Sequence, residues 1–103
     1  MADEPRNVDL LQLYDEIIAD LTAKLLAIQI LVNGSQEAID NMQAGVDRYG
    51  RPVSQEVLLD ARQDMPNLQR IVWVGGTMMN DIQVQIQETR GLIALEMQRR
   101  AGN

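Results

Sequence analysis

An apolar residue recurs every three or four positions along nearly the whole chain, and this spacing constrains the fold more than any other feature. From Leu11 it falls on Tyr14, Ile18, Leu21, Leu25, Ile28, Val32, Ser35, Ile39, Met42, Val46 and Tyr49. Eleven of these twelve are apolar or aromatic, against 46% hydrophobic residues in the chain overall. A second series follows at Leu58, Ala61, Met65, Leu68, Val72, Gly75, Met79, Ile82, Ile86, Thr89, Ile93 and Glu96, nine of them apolar. Alternating steps of three and four place these side chains on one stripe of a helix, as in the a and d positions of a heptad.

The breaks divide this pattern into two arms. Tyr49-Gly50-Arg51-Pro52 is the clearest stop: Gly50 tolerates positive φ, and Pro52 biases Arg51 away from helix. Ser54 is then a natural N-cap. The reading is one domain over 1–103, with a helix over 8–49, a turn over 50–53 and a helix over 54–100 kinked or restarted near Pro66. The phase runs through Asn33-Gly34 and Gly75-Gly76, so continuous helices are favoured there. The alternative is a set of shorter helices. Arms of roughly 63 and 70 Å, at 1.5 Å per residue, make an all-α, coiled-coil-like antiparallel helical hairpin. Charge agrees with this orientation. Acids dominate 1–20, whereas Arg90, Arg99 and Arg100 lie near the other end, so folding about Gly50 joins opposite signs at favourable helix termini.

Two helices do not cover such a stripe. The g positions Leu10, Ile17, Leu31, Ile71, Met78 and Leu92 are also apolar, which widens the face beyond what a two-stranded seam uses. Leu26, Ile30, Trp73 and Val74 lie off the seam and are expected to form a mid-length apolar belt, with Trp73 as its natural hot spot. These ten residues are the candidate interface. A four-helix or larger bundle of identical hairpins is the simplest closure. A compact monomer of four short helices is the rival.

Composition narrows the chemistry. The chain lacks Cys and His, which removes thiol nucleophiles, imidazole bases, disulfides and the usual zinc ligands. A net charge of −6 argues against nucleic acid and anionic membrane surfaces. The longest apolar runs, Leu25 to Val32 and Ile71 to Met79, fall short of the ~20 residues that span a bilayer, so no membrane span is expected. No secretory signal is visible at Met1 to Arg6. A soluble, cytoplasmic location is the resulting expectation, with signal-independent export left open.

No motif completes a catalytic, cofactor or metal site. Trp73-Val74-Gly75 is similar to the W-x-G tripeptide of small secreted hairpins of the WXG100 family, where it occupies the inter-helix turn. The turn signal here is at Gly50, and membership is not adopted. The stretch Ile18 to Ala27 with Arg51-Pro52-Val53 resembles small helical chorismate mutases, but the basic residues that would bind a dicarboxylate are absent. The expectation is a non-enzymatic, self-associating structural subunit of a secretion apparatus, viral particle or scaffold. The alternative is an acidic adaptor or chaperone that binds an amphipathic helix of a client.

Overall fold

The computed structural model describes residues 9–102 and is all-α. Its elements are α1 (Leu10–Ala44), α2 (Gln55–Arg62) and α3 (Met65–Ala101). The long helices α1 and α3 pack antiparallel as a helical hairpin. The described residues divide into two compact units: a terminal unit of 9–25 with 81–102, and a loop unit of Leu26–Asn80.

The heptad stripe is the seam in both units. Every residue of the two series except Tyr49 is buried or half-buried. The core is thin: among the described residues, Ile39, Leu58 and Ile86 are the buried large apolar side chains. In the terminal unit, Leu25 lies with Ile86 and Leu21 with Thr89. The Thr89 hydroxyl donates to the Gln85 carbonyl at 2.8 Å, which satisfies a polar group on the seam.

Of the glycines, Gly75 in the loop unit is the most tightly faced. A methyl group placed on Gly75 would stand 2.3 Å from Val32 Cγ2. Glycine therefore belongs here because the facing helix occupies the space of a side chain, not because the helix breaks. Gly34 and Gly76 meet nothing within 4 Å, and α1 and α3 run through both. Neighbouring apolar side chains and continuous backbone hydrogen bonding outweigh a glycine's intrinsic cost of about 1 kcal/mol.

The first helix, expected over 8–49, ends at Ala44, and residue 8 lies outside the described residues. Gly45 is the true stop. It adopts φ +73°, its N–H reaches the Met42 carbonyl at 3.2 Å, and the Val46 N–H reaches Asn41 at 3.0 Å. This pair of bonds is a Schellman closure. The turn, expected over 50–53, begins at Gly45 and reaches Ser54. Val46 bridges Pro52, and Gly50 reverses the chain at φ +80°. Asp47 holds the reversal: its carboxylate accepts from the N–H of Tyr49 at 2.8 Å and of Arg51 at 2.9 Å, and from Arg51 Nε at 2.6 Å. The Arg51 backbone bond leads in holding its carboxyl below the usual range.

The second helix, expected over 54–100, is two helices. Ser54 is the N-cap of α2, its hydroxyl accepting from the Val57 N–H at 3.3 Å. A short turn at 63–64 follows, and α3 restarts at Met65 with Pro66 in its first turn, where a missing N–H costs nothing.

Candidate interaction surface

The two long helices flank their seam with chemically different sides. One side carries the g residues. In the loop unit, Ile28, Leu31, Ile71, Val74, Gly75 and Met78 line a shallow groove of about 300 Å³ whose sole charged lining residue is Arg70. In the terminal unit, Leu13, Ile17 and Leu92 line a groove of about 410 Å³ rimmed by Glu16, Asp20 and Glu88. Asp20 is paired with Lys24 one turn along at 2.8 Å.

The other side is lined mostly by neutral amides, with Arg90 the one charged lining residue of its terminal-unit groove. Gln36, Gln43 and Gln69 surround Trp73 in the loop unit, and Gln83 and Gln87 stand beside Thr22 in the terminal unit. Among the described residues, no three acidic side chains gather as metal ligands would.

Of the ten expected interface residues, Leu10, Ile17, Leu26, Ile30, Leu31, Trp73, Val74, Met78 and Leu92 are exposed, and Ile71 is half-buried. The structure brings Leu31, Ile71, Val74 and Met78 into one groove. It does not assemble the expected belt of four. Val74 lines the apolar groove, whereas Trp73, one residue earlier and 100° around the helix, opens into the glutamine-lined one at 74% exposure. Leu26 and Ile30 form a separate ridge on α1, 57% and 66% exposed. The reading missed Leu13 and Leu95, exposed at c positions next to the g stripe. Their signal was present, because c lies beside g on the helical wheel.

Charge is concentrated where the terminal unit closes. Glu96 is 7% exposed on the seam and receives Arg99 Nη2 at 2.5 Å and Arg100 Nε at 2.9 Å. Hydrogen bonds from Arg99 first, then Arg100, hold its carboxyl down at about 2. The Arg99 guanidinium is raised mainly by Glu96, and that of Arg100 mainly by Asp9. Asp3, Glu4 and Arg6, which the charge reading placed at this end, lie outside the described residues.

No membrane span was expected because uninterrupted apolar runs are short. Taken as a whole helix, α1 is long and apolar enough, by length and composition, to cross a membrane.

Comparison of the chain with protein-family models, with curated proteins and with solved structures finds no match.

Proposed function

We propose that this chain is a non-enzymatic structural subunit that associates with copies of itself through the sides of its helices, as a component of a secretion apparatus, viral particle or scaffold. The observation that carries this reading is the loop-unit groove of Leu31, Ile71, Val74 and Met78, an apolar concavity with one charge at its edge. Three of those four residues are exposed, and few apolar side chains among the described residues are buried. Contiguous apolar surface of this kind marks association sites on small proteins. In the loop unit the glutamine-lined groove around Trp73 allows helices to lie together without selecting partners by charge.

Sedimentation equilibrium across a wide concentration range tests the reading. A defined multimer that persists on dilution, and that Met78→Glu dissociates with helicity retained, supports it. A chain that stays monomeric throughout overturns it. A monomer that instead captures an amphipathic helical peptide in the same groove is the signature of the adaptor reading.

A further inference from the structure

The loop unit carries apolar surface in two unlike places. One is the groove of Leu31, Ile71, Val74 and Met78. The other is the ridge of Leu26 and Ile30 on the outward stripe of α1. Between Leu25 and Val32, α1 has a single polar residue, Gln29. A helix that is apolar around its circumference is normally covered around its circumference. Here α3 covers one flank and leaves the ridge in water. A two-fold dimer uses the same patch twice. Closing groove on groove would leave the ridge bare, and closing ridge on ridge would leave the groove bare.

We infer that the occupant of the groove is the ridge of a second copy, so that neighbouring molecules join through a heterologous contact. This rests on the self-association reading and specifies its geometry. The spacing fits: Leu26 and Ile30 are four residues apart, as are Val74 and Met78. A partner α1 running antiparallel to the host α3 sets Leu26 against Met78 and Ile30 against Val74. Arg70 then lies four residues beyond Val74, roughly 6 Å, and the partner's Glu37 seven beyond Ile30, roughly 10 Å. The two differ by less than one helical turn, within reach of an arginine side chain. Charge fits as well. Neither Arg70 nor Glu37 has a salt-bridge partner among the described residues, and this contact supplies each with one.

Disulfide trapping tests the contact, because the chain has no cysteine of its own. Both substituted positions are exposed, so folding, checked by circular dichroism, is retained. The double variant Ile30→Cys with Val74→Cys is expected to give a ladder of linked dimers, trimers and higher species under mild oxidation. Either single variant should stay unlinked. A linked dimer from Val74→Cys alone, with no ladder from the double variant, would overturn the heterologous contact while leaving self-association intact. A wild-type chain monomeric at every concentration would remove both. The pairing of charges has its own arm. In the trapped background, Arg70→Glu and Glu37→Arg should each suppress the ladder, and together restore it. Ladders unaffected by either single reversal would overturn the register.

Discussion

Arg100 Nη2 lies 2.6 Å from Asp9 Oδ1, joining residues 91 positions apart in the chain. The same guanidinium donates through Nε to Glu96, so one side chain ties the start of α1 to the end of α3. Both carboxyls sit below their ordinary values, Asp9 chiefly through the Arg100 hydrogen bond and Glu96 through Arg99 and Arg100. A carboxyl depressed by folding stabilises the fold above its unfolded value and loses that contribution as pH falls toward the folded value. For Glu96 this window runs from 4.5 down to about 2. Melting followed by circular dichroism should show a falling midpoint across this window, less steeply in Glu96→Gln. Equal slopes would remove Glu96 from the acid response.

Two glycines of α3 should respond oppositely to alanine. Gly91 meets nothing within 4 Å, so Gly91→Ala should stabilise by up to about 1 kcal/mol through helix propensity. Gly75→Ala drives a methyl into Val32 and should destabilise by roughly 1–3 kcal/mol despite the same propensity gain. Urea unfolding of both variants checks the pair, and partial recovery in Gly75→Ala with Val32→Ala would assign the loss to that contact.

The end of α1 should be equally sensitive at Gly45. Its φ of +73° costs a non-glycine residue about 1–2 kcal/mol. Gly45→Ala should lower thermal stability by that amount. Removing the Asp47 carboxylate tests the rest of the turn: Asp47→Asn keeps an acceptor for the backbone N–H groups but loses the charge facing Arg51, so midpoints should rank wild type, Asp47→Asn, then Asp47→Ala.

Seam and surface positions separate cleanly. Leu21→Asp places a charge on the seam beside Thr89 and should abolish cooperative unfolding. Trp73→Ala truncates a side chain 74% exposed and should shift the stability of the monomeric chain by no more than about 0.5 kcal/mol. A large loss with Trp73→Ala would place that ring in the core.

The seam was legible because helical spacing records burial directly: Ile39, Ile86 and even polar Thr89 fall inside on phase alone, whereas Glu96, whose place near a helix end read as open to solvent, is buried against Arg99 and Arg100. Helix ends were less so. Gly45 was hidden because Val46 continues the apolar phase after the helix has ended, seated by the Schellman turn rather than by another helical turn. Gly50 and Pro52 gave the louder signal, yet they mark the middle and end of the loop. The expected belt failed for an angular reason. Trp73 and Val74 are sequence neighbours, but 100° around α3 puts them on different sides. Phase favoured an unbroken helix through Gly75 against a break there, but the reason for a glycine was invisible: a close approach to Val32 requires knowing which residue stands opposite.

A unit with a hollow on one flank and a crest on another has a front and a back. Copies joined front to back, as inferred above, would form a row whose two tips are unlike, one offering an empty hollow and the other a bare crest, wherever the contact does not close into a ring. Such a row would have direction, and an agent that fills the hollow would halt its elongation at one tip while leaving the other free.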